Sequence, residues 1–591
     1  MAWTRRARHV SDTPPRPRGG LRVPEGGRVL LDSGSMQYRP TLLLFSLLVV
    51  LSTGCDDSSG HSTTDGGTDA GGDAGDSAAP VPGASGTLTV SNPTSSSFDV
   101  AWTAATDETS APAQLEYRVY YSLSNNLDSV ANVLANGTAA GDWQAGIDHL
   151  AVSSLSLETS YHVNVLVRDG AGNVAVYGGA SGLTLAGTWQ ALEPLGNYTG
   201  GSAYYSKLSA ASTGAVAVRW DYSPTWEAHY AVRTADATAF GAVAEWAPAG
   251  NTTSSIAYDP TDHLMGVTIH HGTSTDDLLL QRDPGTGSLV TETVATGFAT
   301  YAIHSTRFCV ASNGDVMVVW MEGLGTASSA VRARVRSGGT WGSVFDATAS
   351  DGLDINTLEV ACDPGGDHVV LWGQAGTANT LQARRYDASA TAWAGPSASL
   401  GTASYQYRVE TARTTAGRIV VMWTEFDSAT STSYVLARTL EGAAWSATSS
   451  TLASSDTLSF NTIALAAAGT DAHAVWFAGP QLVASRLAGS GATWSTASPV
   501  YTASSPQELA LTGDAAGDAL IVTVDSTGIL ARRYTLASGT WSSGTELLPA
   551  GSSIGYGSLA AVLDARRRAT VVWTTWNATD SRFSATSRTY R

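Results

Sequence analysis

Two glutamates are the strongest candidates for acid–base chemistry in this chain. Glu322 and Glu425 each stand two positions after a tryptophan that ends an apolar run. Glycoside hydrolysis uses two carboxyl groups roughly 5–9.5 Å apart, one of which protonates the leaving oxygen. A carbohydrate-active enzyme with Glu322 and Glu425 as its catalytic pair is therefore one hypothesis for function.

Side chains at equivalent positions of a repeated unit, described below, are aromatic or can form hydrogen bonds. This mixture suits a ligand that has both polar groups and apolar faces, such as a glycan or an extended peptide. The simpler alternative is that these loops are polar because they meet water. The candidate ligand-binding residues are Tyr205, Tyr222, His271, His304, Glu322, Gln374, Tyr407, Glu425 and Tyr556.

Metal and cofactor chemistry find little support in the sequence. His270 and His271 precede Asp276 and Asp277, but this arrangement fits no metal-ligand spacing, and solvated loop residues explain it better. We find no nucleophile motif, phosphate-binding loop or zinc signature. We therefore expect no cofactor and no metal.

The elements that must position these residues are short strands in a unit repeated along residues 187–591. A tryptophan ends the second strand of most units, and another opens the fourth. Four strands in about 50 residues, repeated, are typical of a β-propeller. The strand-ending tryptophans are Trp220, Trp320, Trp372, Trp423, Trp476 and Trp573, with Ile269 and Val524 filling two gaps, and the strand-opening ones are Trp189, Trp246, Trp341, Trp393, Trp445, Trp494 and Trp541.

The two ends of this region complement each other. The last unit stops at Arg591 after its third strand, and the missing piece, residues 187–192, precedes the first unit. Pairing of that segment with the last unit would close the ring and remove exposed sheet edges. The sequence predicts eight four-stranded blades closed by the N-terminal strand of the propeller.

The turns before the fourth strands carry a further resemblance. Gly339-Thr340-Trp341 and Gly539-Thr540-Trp541 resemble the ends of Asp-boxes in sialidase-like propellers. The Ser-x-Asp that opens an Asp-box is absent from every unit. The resemblance supports the fold and implies almost nothing about activity. The arginines lie on third strands, towards the outside of the ring, rather than in a sialidase-like substrate clamp.

Two cysteines lie in matching places of neighbouring units. Cys309 and Cys362 precede Trp320 and Trp372 by similar distances, in the first strands of their units. Adjacent first strands can bring two Cα atoms within the roughly 4.4–6.8 Å that a disulfide needs. An oxidising, exported location favours pairing, so we predict a disulfide between them.

Residues 87–186 alternate apolar and polar side chains in short runs. Trp102 on the second run, Tyr117 and Tyr120 on the third, and Leu155 six positions before Tyr161 resemble a fibronectin type III domain, including its tyrosine corner. Leu157 and Glu158 depart from the family, which usually has Pro-Gly there. The resemblance implies a β-sandwich that serves in adhesion or, more simply, as a spacer.

The amino-acid composition indicates a folded protein and argues against some classes of partner. The 591 residues are 43% hydrophobic and only 14% charged, with a formal net charge of −18. This apolar content is ample for packed cores. Because the net charge repels phosphate backbones, we expect no nucleic acid partner. The acidity is explained most simply as keeping a surface protein soluble.

Residues 36–54 have the features of an export signal. Arg39 precedes the apolar run Thr41–Leu51, which is shorter than the about 20 residues of a membrane-spanning helix. Ser52-Thr53-Gly54-Cys55 resembles the lipobox of bacterial lipoproteins, although the family usually has Leu where Ser52 stands. The resemblance implies lipidation of Cys55 and attachment of the exported protein to the cell envelope, at the outer membrane or cell surface. An uncleaved or conventionally cleaved signal is the alternative.

Two further segments flank the predicted signal. Residues 1–35 are rich in Arg, Pro and Gly, and we interpret them as a gene-model extension upstream of a start at Met36. Residues 55–86 begin with the lipidated cysteine and continue as a flexible Asp/Gly/Ser linker, because they contain too few large apolar residues to repay chain ordering.

The sequence therefore predicts an all-β protein: a fibronectin type III-like sandwich followed by an eight-bladed β-propeller. We expect a non-enzymatic binding or adhesion protein whose propeller loops hold a glycan or an envelope or surface protein. Two alternatives remain open, a divergent sialidase-like or other carbohydrate-active enzyme and a structural platform in an envelope complex.

Overall fold

The fold comes from a computed structural model. It describes residues 76–196, 202–223, 226–248, 250–285, 288–325, 328–348, 354–362, 367–376, 379–403, 405–456, 458–489, 491–549, 552, 554–555, 557–577 and 581–591. The predicted signal, Cys55, most of the predicted linker and Tyr556 lie outside these residues. All of the described residues belong to one compact unit.

Residues 76–186 form a sandwich of two antiparallel sheets. One sheet has the order β1-β2-β6, and the other has the order β4-β3-β7-β8, with β5 also on β3 and β9 also on β7. The strands are β1 (Leu88–Ser91), β2 (Phe98–Trp102), β3 (Glu116–Ser122), β4 (Thr138–Ala139), β5 (Gln144–Ala145), β6 (His149–Val152), β7 (Ser160–Arg168), β8 (Val174–Val176) and β9 (Ala180–Leu183).

Every second residue of the sandwich strand β2 faces the core. Phe98, Val100 and Trp102 are buried while the residues between them are half-buried, as expected for a strand with one face on the core. Tyr117 and Tyr161 pack in the same core. A short 3-10 helix (Gly83–Gly86) precedes the sandwich.

The sandwich also contains a helix, α1 (Val130–Asn136), that the strand pattern does not predict. It begins after Ser129, whose hydroxyl accepts the Asn132 N–H at 3.2 Å. Its buried residue, Val133, packs in a small cluster with Tyr120 and Leu166.

The chain turns sharply before β7. The Tyr161 hydroxyl accepts the Ser156 N–H at 2.8 Å, which holds this turn against the core. The chain becomes extended only at Ser160, after a turn in which Leu155 and Leu157 are buried.

Residues 193–590 form eight successive antiparallel sheets of four or five strands. In several sheets the fourth position is filled by two short strands that both pair with the third. The strands are β10 (Glu193–Pro194); sheet 1, β11 (Ser202–Ala210), β12 (Val216–Ser223), β13 (Glu227–Arg233), β14 (Ala244–Ala247); sheet 2, β15 (Thr252–Tyr258), β16 (Leu264–His271), β17 (Thr275–Asp283), β18 (Val290–Ala299); sheet 3, β19 (Ile303–Val310), β20 (Val316–Gly325), β21 (Ser328–Ser337), β22 (Thr340–Trp341), β23 (Phe345–Asp346); sheet 4, β24 (Ile355–Cys362), β25 (His368–Gln374), β26 (Asn379–Asp387), β27 (Ala392–Trp393), β28 (Ala398–Ala403); sheet 5, β29 (Tyr405–Arg413), β30 (Ile419–Asp427), β31 (Thr432–Glu441), β32 (Ala444–Trp445), β33 (Ser450–Ser455); sheet 6, β34 (Leu458–Ala468), β35 (Asp471–Ala478), β36 (Gln481–Leu487), β37 (Ser498–Thr502); sheet 7, β38 (Glu508–Gly513), β39 (Ala519–Asp525), β40 (Gly528–Thr535), β41 (Thr540–Trp541), β42 (Thr545–Pro549); and sheet 8, β43 (Ala560–Leu563), β44 (Ala569–Asn577), β45 (Arg582–Tyr590).

The first strands of these sheets contact one another in sequence. β11 contacts β15, and the contacts continue through β19, β24, β29, β34, β38 and β43, which in turn contacts β11. No single sheet closes on itself within the described residues. Such a nearly all-β arrangement of four-stranded antiparallel sheets is consistent with a β-propeller.

The segment before sheet 1 pairs with sheet 8. Glu193 lies opposite Ser587 on β45, and Trp189 forms an isolated bridge to Tyr590. The strand predicted at 187–192 is therefore a single bridge followed by the two-residue β10. Both are at the outer edge of sheet 8, beyond its third strand.

The two repeated tryptophan positions differ in burial. The strand-ending tryptophans are buried between sheets, as their recurrence in the apolar pattern predicts. Among the strand-opening tryptophans, Trp246 is buried, whereas the others are half-buried at the outer rim.

Third-strand arginines of sheets 3, 4, 5 and 8 join each of these sheets to the one before it. Arg384 of sheet 4 donates through Nε to Gly395 O of its own fourth strand region (3.1 Å) and through Nη1 to Ala347 O of sheet 3 (3.0 Å). Its guanidinium lies 5.0 Å from the ring of Trp393, whose Nε1 donates to Asp346 O. We call this arrangement the arginine clasp. Equivalent clasps are made by Arg334, Arg438 and Arg588.

The predicted disulfide is present. Cys309 on β19 and Cys362 on β24 are bonded, with their Cα atoms 5.7 Å apart. The bond links the first strands of sheets 3 and 4 within their shared core. Among the residues that the structure describes, no helix is long and apolar enough to span a membrane.

Candidate ligand-binding site on the loop face

The starts of first and third strands and the ends of second strands share one edge of each sheet, here called the loop face. On this face, sheet 1 presents three neighbouring aromatic side chains. Tyr204 and Tyr205 lie near the start of β11, and Trp226 follows β12. The ring centroids of Tyr205 and Trp226 are 6.1 Å apart with planes inclined by only 26°, and Tyr204 lies 6.2 Å from each.

Two aromatic side chains of sheet 8 extend this group. Phe583 at the start of β45 lies 5.9 Å from Tyr204, and Trp576 near the end of β44 lies 5.3 Å from Phe583. We call these five residues the aromatic cluster. Because sheet 1 begins the ring of contacts and sheet 8 ends it, the cluster crosses the seam between them.

Part of the cluster is open to solvent. Trp226 is 43% exposed and Trp576 is 44% exposed, while Tyr204, Tyr205 and Phe583 are half-buried. Indole and phenol rings combine a large apolar face with a polar edge, which is why they are enriched at binding surfaces. Exposed, adjacent rings of this kind make this surface a candidate interaction site.

The backbone beneath the cluster is held in an unusual conformation. Tyr205 has φ +52° and Trp226 has φ +57°, in the left-handed region that bulky residues rarely adopt. Backbone strain of this kind persists only when the surrounding structure imposes it, and it concentrates at functional sites. Here it turns two aromatic rings towards each other at the edge of the sheet.

A buried ion pair lies behind the cluster. The Arg219 guanidinium is hydrogen-bonded to Asp221, on the strand next to Tyr204. Burial raises the pKa of Asp221, and the positive charges of Arg219 and Lys207 oppose this shift. Burial and the Asp221 charge raise the pKa of Tyr205, so its hydroxyl stays neutral and able to donate a hydrogen bond.

The structure separates Tyr222 and Tyr205, which the sequence groups together. Tyr222 is only 2% exposed and packs edge-on against Trp220 (6.2 Å) and His229 (5.0 Å). It therefore packs within the core beside Trp220 rather than facing a ligand.

His271 belongs to a second, smaller group on sheet 2. Its Nδ1 lies 3.0 Å from Asp276 Oδ2, and its ring lies 5.2 Å from that of Tyr301, which is 70% exposed. His304 is exposed above Gly323, where an added Cβ would come within 2.5 Å of its Nε2. Gln374 is half-buried.

The two candidate catalytic carboxylates are engaged by neighbouring side chains. Glu322 Oε2 lies 2.8 Å from Arg332 Nη1 on the next strand of sheet 3. Glu425 is 7% exposed, and its Oε1 accepts a hydrogen bond from Trp423 Nε1–H at 2.8 Å. An added Cβ at Gly401 of sheet 4 would lie 2.1 Å from Glu425 Oε1, so this carboxylate is directed into the packing between sheets. The Tyr407 side chain and Tyr556 lie outside the described residues.

Two groups of potential metal ligands come together elsewhere. Cys309, Cys362 and His368 are close, but both sulfurs are used in the disulfide. Asp76, Asp107 and Asp169 have carboxylate oxygens within 4.8 Å of one another at one end of the sandwich. Backbone and side-chain donors, including the Ser110 N–H (2.8 Å) and Asn173 Nδ2 (2.8 Å), occupy oxygens of this group.

A cavity of about 690 Å³ lies between the sandwich and sheets 8 and 1. Serine hydroxyls line it from the sandwich, with Arg566 and Arg591 opposite. Arg566 is paired with Asp236 at 2.5 Å. The lining contains no aromatic side chain, so its chemistry differs from that of the aromatic cluster, and it contains none of the predicted site residues.

Four members of the cluster are not among the residues predicted from the sequence: Tyr204, Trp226, Trp576 and Phe583. A signal for the tryptophans is present in the repeats themselves. Trp226 and Trp576 are the two tryptophans of residues 187–591 that fall outside both repeated positions. Packing between sheets requires the repeated ones, so those that break the register are free for another role.

Comparison with known proteins gives only distant similarities. No family model and no curated protein matches the sequence. Similar solved structures include a protein of unknown function from Dyadobacter fermentans (10% identity, 68% of this chain, 98% of that chain, TM-score 0.34) and an α-L-arabinanase from Penicillium chrysogenum (11%, 68%, 98%, 0.32). A third is the NanB sialidase of Streptococcus pneumoniae (9%, 81%, 93%, 0.32). Because these TM-scores are low, the architecture is assigned from the strand topology of the chain itself, which is nearly all-β and consistent with a β-propeller.

Proposed function

We propose that this protein is an exported lipoprotein, held on the bacterial cell envelope through Cys55, that binds a glycan without converting it. A fibronectin type III-like sandwich carries an eight-bladed β-propeller, and the loop face of the propeller holds the ligand at the aromatic cluster. The proposed attachment to the cell envelope rests on the resemblance of residues 52–55 to a lipobox.

Strand topology supports the architecture. Eight successive sheets, contacts between their first strands that return from β43 to β11, and β10 on β45 are what a closed eight-bladed propeller requires. The Tyr161–Ser156 hydrogen bond supports a tyrosine corner.

The observation that carries the glycan proposal is the exposed aromatic cluster. Sugar rings present apolar C–H faces that stack on aromatic rings and hydroxyls that pair with polar edges. The stacked Tyr205–Trp226 pair offers such a surface, and the neutral Tyr205 hydroxyl and the indole N–H groups offer hydrogen bonds. The engagement of Glu322 and Glu425 by Arg332 and Trp423 favours binding over hydrolysis.

Binding of the full-length protein to immobilised glycans and cell-wall polysaccharides tests the proposal. We expect specific binding that falls by about tenfold or more in a Trp226→Ala, Trp576→Ala variant, because central aromatic contacts dominate such interfaces. Trp143→Ala, which removes a half-buried indole from the sandwich, is the matched control and should bind as the wild type does. Absence of binding to every glycan would overturn the glycan proposal and favour a protein ligand.

The same experiment separates binding from catalysis. If a bound glycan is cleaved, Glu322→Gln should abolish turnover for the enzyme hypothesis to hold. A ligand that remains intact after prolonged incubation supports the non-enzymatic function.

A further inference from the structure

The sandwich contacts the face of the propeller-like region opposite the loop face. This face, here called the turn face, is formed by the turns between first and second strands. Arg567, in the turn between β43 and β44, donates through Nη1 to Leu157 O (3.3 Å), Glu158 O (3.0 Å) and Thr159 Oγ1 (3.1 Å) of the sandwich. Its Nη2 is paired with Asp518 of sheet 7.

The Glu158 carboxylate makes a second set of contacts. Its Oε2 lies 3.1 Å from Arg533 Nη1 on β40, and its Oε1 accepts a hydrogen bond from the Tyr590 hydroxyl at 3.3 Å. One sandwich residue is therefore held through its carbonyl by sheet 8 and through its side chain by sheets 7 and 8. The Leu157 N–H also donates to Arg566 O at 3.2 Å.

Glu158 adopts a backbone conformation that is unfavourable for glutamate. Its φ is +47°, in the left-handed region that glycine enters at no steric cost. Glycine is the usual residue here in the fibronectin type III domains that the sandwich resembles. A glutamate at this position carries backbone strain, which the contacts of its carboxylate with Arg533 and Tyr590 offset.

Asp76, the first residue of the sandwich that the structure describes, and the junction lie at opposite ends of the sandwich. Strand β7 starts at Ser160, next to the Leu157–Thr159 segment, and ends at Arg168, followed by Asp169 of the group that includes Asp76. Nine extended residues cover about 25–30 Å. The chain therefore enters the sandwich about that distance from the turn face.

We propose that the sandwich is a positioning module dedicated to this propeller, docked permanently on its turn face through Glu158 and Arg567. Docking turns the loop face away from Asp76, where the described chain enters the sandwich. This inference concerns the junction alone and does not depend on which ligand the loop face binds.

Distance measurement between two spin labels tests this proposal in the full-length protein. Leu134→Cys on α1 and Val290→Cys on β18 place labels at exposed positions, 58% and 42% accessible, one in each body. We expect a single narrow distance distribution. A broad distribution in the otherwise unaltered protein would overturn the proposal without recourse to any further variant.

Junction variants sharpen the test. Glu158→Gly removes the carboxylate while relieving the backbone strain, so the sandwich should remain folded. Combined with Arg567→Ala, it should cause loss of the narrow peak, and a peak that stays narrow would contradict the assigned contacts. Glu116→Gln is the matched control, because Glu116 pairs with Arg168 within the sandwich at 2.6 Å and should leave the distribution unchanged.

Discussion

Tryptophan has different roles between the sheets and at the seam of the loop face. Between sheets, Trp220, Trp320 and their equivalents recur in register and are buried. At the seam, Trp226 and Trp576 break the register and are more than two-fifths exposed. In a repeat protein, regular positions are set by packing that every unit must satisfy. Departures from regularity are therefore the better guide to binding.

The largest contrast is expected between two tryptophans three positions apart. Trp573 is fully buried, and Trp573→Ala should lower the free energy of unfolding by about 3–5 kcal/mol, because it leaves a large cavity. Trp576→Ala should change it by less than about 0.5 kcal/mol. Chemical denaturation of the two variants measures these losses. Equal losses of unfolding free energy would contradict the difference between the buried and the exposed tryptophan.

The disulfide lies between the packed sheets, so its loss should affect stability rather than ligand binding. Cys309 and Cys362 are separated by 53 positions, and closing such a loop stabilises by about 2–4 kcal/mol. A Cys309→Ser, Cys362→Ser variant should lose this stability while retaining ligand affinity. Denaturation and binding measured on the same sample decide the point; a variant of unchanged stability would show that the bond adds nothing.

Acid should weaken the packed sheets through two buried histidines. Burial lowers the pKa of His368 and of His473 from 6.5 to about 4. Their unfolded forms take up protons first as the pH falls, so stability present above about pH 6.5 is lost towards pH 4. The loss is roughly 2–3 kcal/mol for each. Denaturation midpoints across this range should fall less steeply in His368→Gln than in the wild type, and an identical slope would exclude His368 as a cause.

The arginine clasp should contribute the smallest effect. Arg384→Ala removes hydrogen bonds to carbonyls of two sheets and should cost about 1–2 kcal/mol. The adjacent Arg385, half-exposed and paired with Asp367, is the matched control, since Arg385→Ala removes an ion pair worth about 0–1 kcal/mol. Thermal unfolding of both variants compares them; a larger loss for Arg385→Ala would refute the clasp.

Much of the fold follows from the sequence because strand patterns and repeats are local. The alternation around Phe98–Trp102 and the strand-ending tryptophans both mark buried positions that the structure contains. Helix α1 was missed because its seven residues are too few to show a helical period. The turn at Leu155–Thr159 is not evident from the sequence, because its buried leucines alternate with polar residues as they would in a strand.

The candidate site was harder to predict because it depends on contacts between distant parts of the chain. Tyr205 is among the residues predicted from the sequence, but Phe583 and Trp576 of the same cluster come from the last sheet, and only the contacts between sheets 8 and 1 bring them near. The register of the repeats also cannot show in which direction a side chain points. Tyr222 and Glu425 occupy the expected positions, yet their side chains point into packing, because Trp220, Trp423 and Gly401 lie beside them.

The central claim, that the exposed aromatic cluster is the ligand surface, is tested most directly by fluorine NMR of 5-fluorotryptophan-labelled protein titrated with a glycan that binds it. We predict that the resonances absent from the Trp226→Ala and Trp576→Ala variants shift on binding, while those of the buried tryptophans between sheets stay in place. Binding that shifts neither of these two resonances would contradict the account and locate the ligand elsewhere.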